Sequence, residues 1–291
     1  MSSPLSSSNH RSPLTEEVQA KSGVDSKSAN PGVLEELIHY FKYASSAYTP
    51  VCPRPNGAHL VTHFSNAITD IQGFIARDEE RKEIIIALRG SASIADVVLD
   101  TQVMLVPFLA PGVNAPHGTR VHSGFLVAWD SIAPSVLPLL TTQLALHPDT
   151  RRIITVGHSL GGAISTLAAM SIMVKHQQDI ARGREVKNYS YGAPRIGNKI
   201  FSEFVNGRLG TNAFRVVHAN DGVPTMIPRE LGYHHHGIEY WQSDDPPSED
   251  TLYQCSADGE DPSCSASIPS GGVNTAHMSY FGILATTPFC L

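Results

Sequence analysis

Long hydrophobic runs are missing from the sequence. None reaches the roughly 20 consecutive apolar residues that cross a bilayer, so we expect no transmembrane segment. Residues 1–30 are polar and rich in serine, without the apolar core of a secretion signal. We interpret this segment as a flexible tail or the remnant of a propeptide, and residues 31–291 as one domain.

Positive charge is in the minority. The chain has 21 lysines and arginines against 27 aspartates and glutamates, a formal net charge of −6. No stripe of basic residues is visible, which argues against nucleic acid as a partner and against electrostatic docking on anionic membranes. The 291 residues, 41% of them hydrophobic, are sufficient for one large core.

Cysteine is scarce, and no two cysteines have the close spacing that is typical of a zinc site. The four are Cys52, Cys255, Cys264 and Cys290, and we expect no bound metal. Their even number favours disulfides and an oxidising compartment, with four reduced thiols as the alternative. Three pairings are possible. Cys255 and Cys264 flank a loop, so a local bridge is plausible, and Cys52 and Cys290 would then tie the start of the domain to its end.

Strand patterns and helix patterns alternate along the chain. We predict strands at 71–76, 83–88, 102–107, 153–156, 185–191, 213–217 and 233–241. We predict a helix that opens at 30–32 and ends before Tyr48, a long one over 126–140 that two prolines should bend or break, one after the glycines at 161–162, one at 197–206, and a last one from about 275 to before 288. This alternation is typical of an α/β fold with a largely parallel sheet and helices on both faces.

One stretch has the features of a catalytic turn. The sequence Gly-His-Ser-Leu-Gly at 157–161 fits the G-x-S-x-G nucleophile elbow, with a β-branched apolar run before it and an apolar helical pattern after it. Small residues at Gly157 and Gly161 avoid clashes in a turn that strains the serine backbone. N–H groups at the start of the following helix can stabilise negative charge nearby. We therefore predict that Ser159 is a nucleophile.

A serine nucleophile needs a base, and the base needs an acid that orients it. In sheets of this type the three follow the chain in the order serine, acid, histidine. Asp221 comes just after a predicted strand, at the end where ligand sites gather, and His277 comes just after a glycine-rich loop. We predict that loops bring both side chains to Ser159. The aspartates of the polar loop 243–272 are expected at the solvated surface.

Other candidate residues fit chemistry less well. The three histidines at 234–236 are adjacent along a predicted strand, so their side chains alternate between its faces, and the spacing of a metal site is missing. We expect His158 and His218 to be structural. Asn188 opens a glycosylation acceptor, Asn-Tyr-Ser, but it lies in a predicted buried strand, so its use stays open.

Further motifs stand in order around the elbow. They are Leu88-Arg89-Gly90-Ser91, Val-His-Ser-Gly-Phe at 121–125, Gly-His-Ser-Leu-Gly-Gly at 157–162, Tyr-Gly-Ala-Pro-Arg-Ile-Gly at 191–197, Asn-Asp-Gly-Val-Pro at 220–224, Glu-Tyr-Trp at 239–241, and His277 with Tyr280-Phe281. Together they resemble the fungal class 3 lipase family, α/β-hydrolases that include triacylglycerol lipases of filamentous fungi and some feruloyl esterases. The resemblance covers nearly the whole predicted domain and implies an α/β-hydrolase fold.

The resemblance implies a role for each matching residue. Ser159 would be the nucleophile, His277 the general base and then the general acid, and Asp221 the residue that orients His277. The backbone N–H groups of Ser91 and Leu160 would form the oxyanion hole.

In the family, a short amphipathic helix after the oxyanion serine is a lid over the acyl groove. Here it would cover about residues 92–102. Its apolar residues would exchange contact with the groove for contact with lipid; they are Ile94, Val97, Val98 and Leu99. Asp100 matches the position that holds the hydroxyl of the oxyanion serine.

The activity implied is hydrolysis of acylglycerol esters at an oil–water interface, by a secreted triacylglycerol lipase without cofactor. We expect a monomer. The alternatives are an esterase for feruloyl or other soluble esters, a mono- or diacylglycerol lipase, and a non-catalytic hydrolase fold that binds lipid or a partner protein. The disulfides of the family also favour the pairs Cys52–Cys290 and Cys255–Cys264.

Overall fold

A nine-stranded mixed sheet forms the centre of the structure. The computed structural model describes residues 27–91, 103–110 and 113–291. The strands of this part of the chain are β1 (Lys27–Ser28), β2 (His59–Asn66), β3 (Ile71–Asp78), β4 (Glu83–Leu88), β5 (Leu105–Pro107), β6 (Arg120–His122), β7 (Arg152–His158), β8 (Glu185–Tyr191), β9 (Gly197–Asn198), β10 (Ala213–His218), β11 (Tyr233–His234), β12 (Glu239–Gln242), β13 (Leu252–Gln254), β14 (Ser279–Tyr280) and β15 (Ile283–Leu284). The helices are α1 (Val33–Ser46), α2 (Ser123–Leu146), α3 (Leu160–Lys175), α4 (Gln177–Ala181) and α5 (Lys199–Leu209).

The middle of the large sheet is parallel. The strand order is β1-β13-β12-β10-β8-β7-β4-β3-β2, and the block from β12 to β4 pairs in parallel, whereas the outer strands pair antiparallel. Every residue of β4 is buried, and so is all of β7 except its first residue. This burial is typical of strands covered on both faces. The predicted α/β class with a parallel central sheet is confirmed.

Two hydrophobic clusters cover the two faces of the sheet. One contains the buried sides of α2 and α3, and the other contains α1 together with the segment around β14. A separate four-stranded sheet, in the order β11-β9-β6-β5, contributes to the first cluster. Helices therefore lie on both faces, as predicted.

Helix α2 runs unbroken through Pro134 and Pro138, against the prediction that they would break it. Both prolines are exposed, so water can reach the carbonyl groups that lose an N–H partner. By length and composition α2 could cross a membrane. Its inner face is instead part of the core, where the Trp129 indole N–H donates to Ser171 Oγ of α3 at 2.9 Å. Core packing accounts for its apolar character.

Two predicted elements are wrong. The strand expected over 233–241 is two short strands in different sheets, β11 and β12. The helix expected from about 275 is a single 3-10 turn, Thr275–Met278, followed by the hairpin β14–β15. The backbone N–H of Phe281 donates to Gln242 Oε1 at 2.9 Å, so a long-range contact holds this segment instead of a helical ladder. Strand β2 was not predicted, because most of its residues are polar and it lies at a sheet edge.

Both disulfides pair as the resemblance implied. Cys52–Cys290 closes a loop with a sequence separation of 238, and Cys255–Cys264 one with a separation of 9. The longer link ties the segment after α1 to the C-terminus. On the chain-entropy model a loop of this size stabilises the fold by about 5 kcal/mol.

Asn188 is fully buried in β8. Its amide nitrogen donates to Thr155 Oγ1 and to Ser165 Oγ, each at 3.0 Å, and its Oδ1 accepts from Thr166 Oγ1 at 3.0 Å. The side chain thus joins β7, β8 and α3. This burial is incompatible with an acceptor in the folded protein, because glycosylation needs an exposed side chain.

Five histidines should make the fold sensitive to acid. Burial, named first among the causes, lowers the pKa of His39 and of His122 to about 4 and that of His236 to about 3, and it holds the pKa of His158 and His235 well below their usual range. In the unfolded chain these groups bind protons below about pH 6.5. The folded state binds fewer protons there, so acid favours unfolding.

We therefore predict that the free energy of unfolding falls as the pH drops from about 6.5 towards 4. Each such histidine contributes a slope of about 1.4 kcal/mol per pH unit inside its window. Urea unfolding at pH 7, 6, 5 and 4.5 measures the slope. A free energy that is constant or that rises between pH 7 and pH 5 would contradict the prediction.

Candidate active site

The turn between β7 and α3 presents Ser159. Its backbone has φ 60° and ψ −129°, a conformation that side chains other than glycine rarely adopt. A Cβ added at Gly157 would lie 2.3 Å from the Gly161 carbonyl, and one added at Gly161 would lie 2.2 Å from the carbonyl oxygen of Leu88. Both positions therefore require glycine. The turn has the strand–turn–helix setting that the sequence predicts.

Three distant parts of the chain meet at this turn. His277 Nε2 is 3.0 Å from Ser159 Oγ, and His277 Nδ1 is 2.9 Å from Asp221 Oδ2 and 3.1 Å from Oδ1. The three side chains are almost completely buried, with no more than 2% of each residue exposed. A carboxylate can only accept, so Nδ1 carries the hydrogen and Nε2 is left to accept the serine proton. The arrangement is that of a nucleophile, a base and an orienting acid; their chemical roles stay predictions.

The Asp221 carboxylate has two further donors. Tyr280 Oη donates to its Oδ2 at 2.5 Å, and the backbone N–H of Val223 donates to its Oδ1 at 2.9 Å. Because Tyr280 is buried and its partner is a carboxylate, its pKa is raised well above the usual range, so it stays a donor. These contacts satisfy a carboxylate that is removed from water. The sequence motifs included Tyr280 but gave it no role.

Hydrogen bonds to the backbone hold the segment that carries His277. The carbonyl oxygens of His277 and Ala276 face His158 Nε2 at 2.9 Å and His218 Nδ1 at 3.0 Å. Asn274 accepts from the His277 N–H at 3.2 Å and donates from Nδ2 to the Asn220 carbonyl at 2.7 Å. One side chain thus connects the loop of the base to the loop of the acid. Sequence reasoning missed Asn274, since no local pattern marks it.

Donors for an oxyanion lie beside Ser159. Leu160 begins α3, and a first-turn N–H has no carbonyl one helical turn before it. The chain leaving β4 passes close by, because a Cβ added at Gly90 would lie 2.9 Å from Ser159 Cβ. Ser91 follows directly. Asp100 and the predicted lid over 92–102, with its four apolar residues, lie outside the described residues.

Two groups of potential metal ligands occur in the described part of the chain. One includes both cysteines of the shorter disulfide, which cannot coordinate. In the other, formed by His39, Asp78 and Glu83, the Glu83 carboxylate already pairs with Arg152 Nε at 2.7 Å. We assign no metal to either group. His235, of the triple histidine, faces the Pro224 carbonyl with Nε2 at 2.8 Å.

Comparison with known proteins gives a consistent family. Residues 85–231 match the model of the family described as Lipase (class 3). A lipase of Rhizopus niveus is 28% identical over 85% of this chain and 64% of its own length. A secreted mono- and diacylglycerol lipase of Fusarium solani is 32% identical over 75% of this chain and 66% of its own. The matched region thus spans about two thirds or less of these relatives.

Solved structures agree. A lipase from Rhizopus microsporus var. chinensis superposes with a TM-score of 0.78 and 30% identity over 92% of this chain and 93% of that one. A triacylglycerol lipase whose catalytic centre is described as a serine protease triad gives a TM-score of 0.76 and 29% identity over 89% and 97%.

Removing the Tyr280 hydroxyl should weaken the site without unfolding it. In Tyr280→Phe the Asp221 carboxylate loses a charged hydrogen bond, which is typically worth about 1.5–3 kcal/mol. Its pKa then rises, so the acidic limb of the rate profile on a soluble chromogenic ester should move to higher pH, with about a 10-fold lower plateau. Tyr240→Phe, on β12, is the control. A pH profile superimposable on that of the wild type would count against the contact.

Proposed function

We propose that this chain, which belongs to the class 3 lipase family, hydrolyses carboxylic esters of acylglycerols through an acyl-enzyme on Ser159. The observation that carries the proposal is the buried line of Ser159, His277 and Asp221, joined at 3.0 and 2.9 Å. The names of the relatives support lipid esters as the substrate class.

In the first half of the reaction, His277 Nε2 takes the proton from Ser159 Oγ as the oxygen attacks the ester carbonyl. The N–H groups of Leu160 and Ser91 hold the resulting oxyanion; losing one such donor typically costs about 10²–10³ in rate. The imidazolium of His277 then protonates the departing alcohol, and Asp221 stabilises its positive charge.

In the second half, His277 removes a proton from water, which attacks the acyl-enzyme. The fatty acid leaves and Ser159 is restored. Every proposed step uses side chains or backbone groups of this chain together with water.

Triacylglycerol at an oil–water interface is the proposed substrate. The apolar residues predicted for the lid, Ile94, Val97, Val98 and Leu99, favour lipid over a soluble aromatic ester. A partial-glyceride lipase is the second candidate, since the Fusarium solani relative carries that name. Two disulfides and relatives named as secreted support an extracellular enzyme. The three reacting side chains come from one chain, which supports a monomer.

Ser159→Ala tests the nucleophile. Loss of Oγ removes the covalent route, so the rate on tributyrin emulsion should fall by at least about 10³-fold while the unfolding transition stays in place. Titration of the released acid measures it. Ser267→Ala, an exposed serine, is the control. A Ser159→Ala rate within a few-fold of wild type would refute the assignment.

A substrate panel tests the class of ester. Rates are compared on emulsified long-chain triacylglycerol, on diacylglycerol and monoacylglycerol, and on a soluble feruloyl ester. The proposal expects the highest kcat/KM on triacylglycerol, and activity that rises once an interface is present. Faster turnover of the feruloyl ester would favour the soluble-ester alternative, and activity confined to partial glycerides would favour the second candidate.

A further inference from the structure

A chain of hydrogen bonds runs behind the candidate active site. Tyr48, just beyond the end of α1, places its hydroxyl 2.8 Å from His158 Nδ1. His158 Nε2 lies 2.9 Å from the backbone carbonyl of His277. His158 is only 2% exposed, so water does not replace these partners. The tyrosine is thus joined through one imidazole to the residue that carries the base.

The other end of the chain is the segment of the oxyanion hole. The backbone N–H of Gly90 donates to the Tyr48 hydroxyl oxygen. The two groups are so close that a Cβ added at Gly90 would lie 2.2 Å from Tyr48 Oη. Gly90 directly precedes Ser91, which supplies one of the two proposed oxyanion donors. The Tyr48 hydroxyl therefore stands between the base and the oxyanion segment.

The donors along this chain can point in only one direction. The His277 carbonyl can only accept, so His158 Nε2 carries the hydrogen. His158 is neutral, because burial and the nearby His277 hold its pKa well below the usual range. Its Nδ1 is therefore an acceptor, and the Tyr48 hydroxyl donates to it. The Tyr48 oxygen in turn accepts from Gly90.

We propose that Tyr48 is a positioning residue, which through His158 and Gly90 fixes the spacing between the base His277 and the oxyanion segment 90–91. The inference rests on the proposed function, since a catalytic consequence follows only if these groups react. Tyr48 touches neither Ser159 Oγ nor the His277 ring through its own hydrogen bonds; it acts through its two neighbours.

The neutral tautomer of His158 is the element that Tyr48 controls. The rings of His158 and His277 have their centroids 4.5 Å apart. Without the Tyr48 hydroxyl, His158 could move its hydrogen to Nδ1 and turn a lone pair towards the His277 carbonyl, which would repel it. The buried N–H of Gly90 would also lose its acceptor. Both ends of the site would then loosen together.

The test is Tyr48→Phe, which removes one oxygen and keeps the ring. Tyr43→Phe is the matched control, because Tyr43 is a buried tyrosine of α1 whose hydroxyl lies 3.5 Å from Asp78 Oδ2, away from the triad. On a soluble chromogenic ester we expect kcat to fall about 10-fold in Tyr48→Phe, since displacements of about 1 Å in a reacting group cost up to about 100-fold. KM should change by less than about 2-fold, because the substrate contacts remain.

A second readout is independent of turnover. The ¹⁵N chemical shifts of the His158 ring distinguish the two neutral tautomers. The wild type and Tyr43→Phe should show the hydrogen on Nε2 alone, whereas Tyr48→Phe should show a mixture. Combining Tyr48→Phe with Ser91→Ala should give less than the product of the two single effects on kcat, because both act on the same segment.

The outcomes separate the two proposals. A wild-type protein that hydrolyses no ester would overturn the proposed function, and the tautomer measurement would still decide on the chain of hydrogen bonds. Wild-type activity with an unchanged kcat and an unchanged His158 tautomer in Tyr48→Phe would overturn the inference. A fall in kcat equal to that of Tyr43→Phe would also overturn it.

Discussion

The backbone of Ser159 is the constraint on which the site depends. A residue with a side chain holds a positive φ of 60° there, at the point where β7 stops and α3 starts. Such a conformation costs about 1–3 kcal/mol and persists only where the surroundings enforce it. Here they do so by close contact, since Gly157, Gly161 and the end of β4 leave no room for another path. The rigid parallel sheet therefore presents one hydroxyl in one place.

Polar contacts, rather than packed elements, bring the base and the acid to that hydroxyl. Asp221 follows β10, and His277 lies in a 3-10 turn that no helix or long strand supports. Asn274, Tyr280 and two buried histidines fix these loops through hydrogen bonds. Because each partner is buried or nearly so, losing one would leave an unsatisfied group beside the triad. Precision at the site is thus gained from a buried polar network in a largely apolar core.

The sequence predicted the parts of the molecule that local patterns define. β4, β7, β8 and β10 are short apolar runs, and the elbow is a local motif, so each could be found from neighbouring residues. The hairpin β14–β15 was mistaken for a helix because its contacts, such as that of Phe281 with Gln242, are between residues distant in the chain. Tyr48 and His158 are 110 residues apart, and no local pattern connects them. For the same reason His158 was interpreted as structural packing, although its ring lies beside that of His277.

The most direct measurement for the central claim is a crystal structure of the protein after reaction with an alkyl phosphonate ester. The account predicts a covalent bond from phosphorus to Ser159 Oγ. The phosphonyl oxygen should lie about 2.7–3.1 Å from the backbone nitrogens of Leu160 and Ser91, as an oxyanion would. His277 Nε2 should face the position of the departing group. A phosphonate attached to another residue, or an adduct on Ser159 whose oxygen points away from both nitrogens, would contradict the account.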